Sequence, residues 1–119
     1  MPTIGDFKVV MDKAATLERG GTNFVRVDFN LPTNTATSQR AVLMYRVEVE
    51  EADDLKYELN LNKENILTLT HDERRFGTIH EVIAANVLHN GENQFMAVAT
   101  KGEGKLKISD VVILFQANV

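Results

Sequence analysis

The sequence predicts an all-β fold, a single antiparallel β-sandwich of about eight or nine strands that covers residues 1–119 as one domain. Three observations predict it. Apolar and polar residues alternate with a period of two in several segments, and polar turns separate these segments at roughly ten-residue spacing. No segment has the apolar periodicity of a long helix. At 119 residues the chain can bury one core.

The first third of the chain predicts two strands and a loop. Over Asp6–Met11, Phe7, Val9 and Met11 share one phase, which predicts a half-buried strand with these residues on one face. Thr22–Asn30 follows the Gly20-Gly21 turn signal and again alternates, with its charged residues on one phase. Leu31–Gln39 is polar, contains proline and has no periodicity, so we expect a loop.

The middle of the chain has the clearest alternation. Ala41–Glu50 and Leu55–Leu61 each place apolar residues on one face, and we expect Tyr45 and Tyr57 to pack in the core. The acidic segment Glu50–Asp54 between them is predicted to be a turn.

The last part of the chain predicts four further strands. A short strand at Ile66–Thr70 precedes a charged connection, His71–Gly77, and Ile79–Ile83 is assigned as a strand. Asn90-Gly91 is a tight-turn signal before an alternating strand, in which Phe95, Ala97 and Ala99 oppose Gln94, Met96 and Val98. Gly102–Gly104 is predicted to turn the chain into the final strand. Val111–Phe115 is apolar on both phases, which predicts a strand covered on two sides.

Composition excludes several classes of function. The net charge of −4 and the pI near 5.3 disfavour nucleic acid and anionic membrane surfaces as partners, because both select for lysine and arginine. The chain has no cysteine, which excludes disulfides, thiolate nucleophiles and cysteine-based metal sites. The first residues lack the basic and apolar pattern of a signal peptide, and no apolar run has transmembrane length. We therefore expect a cytoplasmic protein, or one exported by a signal-independent route.

Two segments resemble a known family. The Leu88-x-x-Gly91-x-Asn93 turn, followed by an apolar strand and then by Ile108–Phe115, resembles the C-terminal half of galactose-binding-like jelly-roll domains, among them many carbohydrate-binding modules. Tyr57–Glu64 is similar to their central hairpin, with Lys63 in place of a glycine. The resemblance implies jelly-roll topology and a saccharide ligand. We interpret Asn93 as a turn residue whose amide bonds neighbouring backbone groups.

The candidate ligand contacts follow from this resemblance. Sugar sites present an exposed ring beside polar groups; the chain has no tryptophan, and Phe76 in its polar segment is the best candidate ring. The predicted ligand-binding residues are Asp53, Asn62, Arg74, Arg75 and Phe76. The leading hypothesis is a non-catalytic module that recognises a glycan or cell-surface saccharide through its loops. The alternative is a structural or assembly subunit that forms homo-oligomers, and a metal-dependent enzyme comes third.

No cofactor or metal is expected. His71, His80 and His89 recur every nine residues and would suit zinc or nickel if strand pairing brought them together, but solvated loop histidines are the simpler interpretation. The carboxylates of Glu50–Asp54 would supply oxygen ligands for a structural calcium, but a charged, soluble turn is the simpler interpretation. Neither serine lies in a nucleophile elbow, and no catalytic residue is predicted.

Overall fold

Seven antiparallel strands make up the computed structural model, which describes residues 2–119. They are β1 (Thr3–Met11), β2 (Ala15–Glu18), β3 (Phe24–Leu31), β4 (Ala41–Leu61), β5 (Glu64–His71), β6 (Arg75–Ile83) and β7 (Gly91–Asn118). The predicted all-β class is confirmed. In residues 2–119 no helix is long and apolar enough to cross a membrane.

Two long strands hold the architecture together. β4 pairs with residues 95–114 of β7, and the two strands bend at the same level, where Asp54 and Gly102 have positive φ and the register shifts. On one side of the bend lies the first sheet, formed by β1, β2 and β6 with residues 41–52 of β4 and 104–118 of β7. On the other side lies the second sheet, formed by β3 and β5 with residues 55–61 of β4 and 91–101 of β7.

Three predicted connections are therefore wrong or shorter than expected. The acidic segment Glu50–Asp54 is not a turn but a bend within β4, and Gly102–Gly104 is its counterpart within β7. Backbone hydrogen bonds to the facing long strand continue through both bends, so each predicted pair of strands is one strand. The charged connection is confined to residues 72–74, because β5 extends to His71 and β6 begins at Arg75. The short strand β2 has no counterpart in the prediction.

A buried hydrogen bond shows that the two sheets pack face to face. The hydroxyls of Tyr45 and Tyr57 lie 2.8 Å apart, and both side chains are fully buried. In a straight strand these residues, twelve apart, would be separated by roughly 40 Å. The bend in β4 brings them together across the core. The predicted core position of both tyrosines is confirmed.

The losses of stability caused by removing the two hydroxyls of this pair should not be additive. We expect Tyr45→Phe and Tyr57→Phe each to destabilise the protein by about 1–3 kcal/mol, because each leaves the other hydroxyl buried without a partner. The double variant should be more stable than the sum of the single losses implies. Urea unfolding of the four proteins gives the coupling energy, and simple additivity would contradict the interaction.

The same pair should make the protein sensitive to alkaline pH. Burial raises the pKa of Tyr57 to about 12 and raises the pKa of Tyr45 well above its usual range. Unfolded tyrosines ionise near pH 10, so the stabilisation is complete below that pH and falls as the pH rises, by about 1.4 kcal/mol per pH unit for each tyrosine. The double phenylalanine variant should lose less stability than the wild type between about pH 9 and pH 11.5. Equal losses of stability in the two proteins would show that ionisation of these tyrosines is not the cause of the alkaline sensitivity.

The outer face of the first sheet differs from the prediction. β1 is confirmed as a strand, but the residue that it buries is Val10, whereas Phe7 and Val9 are exposed. The register explains this, since Phe7 lies opposite Leu114, whose neighbours Ile113 and Phe115 fill the core. Leu114 itself is 41% exposed, so the last strand is covered on one side only.

Candidate functional site

The outer face of the second sheet carries polar side chains around one exposed aromatic ring. Phe24 at the start of β3 is 52% exposed. It shares an outward phase with Arg26 and Asp28, because Phe29 and the half-buried valines of β3 take the inward phase. In register, Phe24 lies opposite Val98 of β7.

The same rows continue across β4 and β5 with polar residues. Val98 pairs with Glu58, which pairs with Thr68 at the edge of the sheet. In the next row Asn60 lies opposite Asn65, whose Nδ2 donates to Asn60 Oδ1 at 3.1 Å. Carboxylate, amide and hydroxyl groups thus lie on the same face as the ring, two and three strands away from it, and a polar chain crossing the sheet would meet hydrogen-bonding groups in both rows.

A pocket of about 290 Å³ opens on this face where β3 ends and β7 begins. Its polar lining comes from Arg26, Asp28, Asn30, Asn62, Glu92, Asn93 and Gln94. The side-chain oxygen of Gln94 accepts from Nε and Nη2 of Arg26 at 2.9 Å each, and Asp28 lies 3.6 Å from the same Nε. These two hydrogen bonds use two of the five N–H donors of the guanidinium. The other donors are available to a ligand in the pocket.

The side-chain amides of half-buried Asn62 and buried Asn93 line the pocket. Asn62 Nδ2 donates to the carbonyl of Val87 at 2.7 Å and to Asn93 Oδ1 at 2.8 Å, and Asn62 Oδ1 accepts from the backbone of Gln94 at 2.8 Å. Asn93 in turn bonds the backbone of His89 in both directions, as the sequence interpretation expected. Both N–H groups of the Asn62 side chain therefore donate to groups of the protein itself. This predicted ligand residue holds the pocket wall in place.

The hairpin that presents Asn62 keeps the geometry of an Asn-Gly turn. Asn62 and Lys63 have φ values of 51° and 69°, the positive pair that a two-residue type I′ turn requires. Lys63 adopts this conformation in place of the glycine common in such turns, and its side chain is exposed.

The other predicted ligand residues lie at the bend, separated from Asn62 by the length of the second half of β4. Asp53 lines a pocket of about 380 Å³ with Arg19 and Glu103. Arg74 and Arg75 line a different one, of about 470 Å³, between β5 and β6. Phe76 is 56% exposed, and the guanidinium carbon of Arg74 lies 5.9 Å from the centre of its ring. The five predicted residues therefore occupy three places.

His71 is a half-buried titratable residue near the bend. Its ring stacks on Tyr57 with a centroid separation of 5.8 Å, and its Nε2 has no hydrogen-bond partner among residues 2–119. Burial and, to a lesser extent, the nearby positive charge of Arg75 lower the pKa of His71. The interpretation of this residue as a solvated loop histidine is wrong, because it ends β5 against the core.

The metal alternatives gain no support from the pairing of the strands. Within residues 2–119, no three histidine or acidic side chains lie close enough to hold one ion. Glu50 instead faces Lys107 and Lys105 at 3.2 and 3.4 Å, and hydrogen bonding to Lys107 contributes most to lowering the pKa of Glu50.

The chain resembles several solved structures along nearly its whole length. The CBM36-1 domain of a multidomain xylanase from the hindgut metagenome of Trinervitermes trinervoides matches 98% of the chain over 100% of its own length, with a TM-score of 0.55 and 15% identity. The chain shares the fold of that domain. The antiparallel β-sandwich predicted from the sequence is thus confirmed, and at this level of identity the likeness establishes the fold alone.

Two larger proteins contain a similar domain. Dimeric latent PorU from Porphyromonas gingivalis matches 99% of the chain with a TM-score of 0.74 and 10% identity, and the chain spans 13% of its length. A β-porphyranase of glycoside hydrolase family 86 from the human gut bacterium Bacteroides plebeius matches 98%, with a TM-score of 0.65 and 17% identity, and the chain spans 21% of it. No protein-family model and no curated protein matches the sequence.

Sequence reasoning missed the residues of the second-sheet face. Arg26, Gln94 and Glu58 were assigned to the outward phases of their strands, which is correct, but nothing in the alternation shows that β3, β7 and β4 lie side by side. The usable signal was Phe24, an aromatic residue on the same phase as Arg26 and Asp28.

Proposed function

We propose that the chain is a non-catalytic module that binds a saccharide on the outer face of the second sheet. The observation that carries the proposal is the combination on one face of the exposed Phe24 ring, polar groups from four strands and the pocket beside Arg26. The apolar side of a pyranose packs on an aromatic ring while its hydroxyls bond polar groups nearby. The carbohydrate-binding-module fold supports the same ligand class.

The dimensions favour an extended ligand. The pocket, at about 290 Å³, is at the small end of the range for ligand sites, which begins near 300 Å³. It accommodates a terminal sugar unit, and the polar rows toward Glu58 and Thr68 continue the site across strands spaced about 4.8 Å apart. We therefore expect oligosaccharides to bind more tightly than the corresponding monosaccharide.

The test is a glycan array followed by calorimetric titration of the best ligand. We expect Phe24→Ala to weaken binding about tenfold or more, because the stacking surface is lost. Arg26→Ala should also weaken it, because a charged donor in the pocket is removed. Both side chains are exposed enough that circular dichroism should show an unchanged fold.

Phe76→Ala is the matched control, since the two rings are 56% and 52% exposed. It should leave the affinity unchanged. If Phe76→Ala or Arg74→Ala weakens binding and Phe24→Ala does not, the ligand occupies the turn between β5 and β6 that the sequence predicted. Absence of binding across the array would contradict a saccharide function.

A second candidate function, an assembly subunit, is favoured by the exposed apolar residues on the first sheet. It is compatible with saccharide binding, because the two activities use opposite faces of the sandwich.

A further inference from the structure

The outer face of the first sheet has a contiguous apolar half. One row across the four strands consists of apolar residues alone, and the next row adds three more beside His80. The apolar residues of the two rows are Phe7, Leu114, Val42, Val82, Val9, Val112 and Met44. Four of the exposed large hydrophobic side chains of the chain lie here, with exposed fractions from 41% for Leu114 to 63% for Phe7.

This arrangement differs from ordinary surface exposure. Single hydrophobic residues are common on protein surfaces, whereas contiguous apolar patches mark interaction sites. The second sheet shows the contrast, since Phe24 is the one large exposed hydrophobic residue that its outer face presents within the described part of the chain. A flat apolar sheet face is well suited to pack against another sheet face, as the inner faces of a sandwich do.

The other half of the first-sheet face is charged, and two lysines face two glutamates across its central strands. β7 presents Lys105 and Lys107, and β4 presents Glu48 and Glu50 at the same levels. These four charges thus lie on either side of the line between the two central strands. Arg46 also faces outward on β4, where it pairs with Glu48 at 3.4 Å and lies opposite the uncharged Ser109 of β7. A surface with this pattern is complementary to itself when it is turned over about that line.

We propose that this face binds a second copy of the chain, with a two-fold axis parallel to the strands between β4 and β7. Such an axis places β7 of one copy over β4 of the other and β1 over β6, while each row stays at its own level. Leu114 then lies over Val42 of the other copy, and Phe7 lies over its Val82. Both contacts occur twice, as an isologous interface requires.

The charged half fits the same axis. Lys107 of each copy lies over Glu48 of the other, and Lys105 lies over Glu50. The alternative two-fold axis, perpendicular to the strands, would place β7 over β7 and set the lysines of one copy against the apolar row of the other. Charge complementarity therefore selects both the partner and the orientation.

The size of the face is sufficient for a dimer. Four strands about 4.8 Å apart and nine residues of about 3.3 Å rise give a face of roughly 19 by 30 Å before its relief is counted. Stable interfaces bury roughly 800 Å² of accessible surface on each partner, which a corrugated face of this extent can supply.

Sedimentation velocity and light scattering over a range of concentrations test the dimer. We expect a mass of twice 13.3 kDa that is lost in Leu114→Lys. The matched control is Phe24→Lys on the opposite face, which should remain dimeric. A wild-type protein that is monomeric at all concentrations would overturn the proposal, as would equal effects of the two lysine substitutions.

A charge exchange tests the orientation. Glu48→Lys and Lys107→Glu should each weaken self-association about tenfold or more, because like charges then face each other twice. An equimolar mixture of the two variants should form a heterodimer, since both facing pairs are again of opposite sign. The double variant E48K/K107E should likewise recover self-association. Failure of the mixture to associate would overturn the proposed axis, and because the mixture contains the same two folded chains, misfolding cannot imitate recovery.

Discussion

Replacing Gly102 with alanine is expected to destabilise the protein by about 2–5 kcal/mol, a large part of the 5–15 kcal/mol that stabilises a typical domain. Gly102 has a φ of 80°, and a Cβ there would lie 2.0 Å from the carbonyl oxygen of Asp54. The strained backbone costs about 1–2 kcal/mol, and the clash forces the two bends apart at about 1–3 kcal/mol more. Gly104 stands under the same constraint, 2.2 Å from the carbonyl oxygen of Glu51.

Two other glycines separate these contributions. At Gly20, φ is 89° but no atom lies within 4 Å of the added Cβ, so Gly20→Ala reports the backbone strain alone. At Gly77 neither constraint applies, and Gly77→Ala should be nearly neutral. Chemical denaturation followed by circular dichroism ranks the three variants. A loss in Gly102→Ala no larger than in Gly20→Ala would show that the bends are not in contact.

Asn93→Ala is expected to cost about 3 kcal/mol, the second largest effect of a single substitution. The Asn93 side chain is 4% exposed and makes four hydrogen bonds of 2.8 to 3.0 Å, to both backbone groups of His89, to the carbonyl of Gly91 and to the amide of Asn62. Alanine leaves all four partner groups buried or half-buried without this partner, and each such group costs about 1 kcal/mol or more unless water replaces it.

Asn65→Ala is the comparison for this substitution, because Asn65 is an exposed asparagine in β5 of the same sheet. It should change the free energy of unfolding by less than about 0.5 kcal/mol. Asn93→Asp retains the accepting oxygen and loses the two donated bonds, so we expect a loss comparable with that of alanine once the buried charge is included. An Asn93→Ala protein as stable as Asn65→Ala would mean that water substitutes for the amide.

The fold could be predicted from the sequence where one face of a strand is buried and the other is polar. The leucines and tyrosines of β4 alternate with charged residues, and the inward phase follows from that contrast. The prediction fails in β1 and at the end of β7, where Phe7, Val9 and Leu114 are apolar yet face outward. Periodicity cannot distinguish a face that is buried within the chain from one that is apolar for another reason.

The candidate site could not be predicted because it depends on which strands are neighbours. Phe24 and Gln94 are seventy residues apart in the sequence and share one face because β3 pairs with the first part of β7. The bends in β4 and β7 were also hidden, because glycine and acidic residues suit a turn as well as a bend within a strand. Backbone pairing across the bend, which distinguishes the two cases, is not encoded in local residue type.

The length of β4 and β7 has a consequence for how the molecule loses its structure. Since each of the two strands belongs to both sheets, one sheet cannot unfold without disrupting strands that also form the other. We expect amide protons of residues 41–49 and 55–61 to exchange with solvent through the same global opening, with equal free energies, as parts of a single cooperative unit.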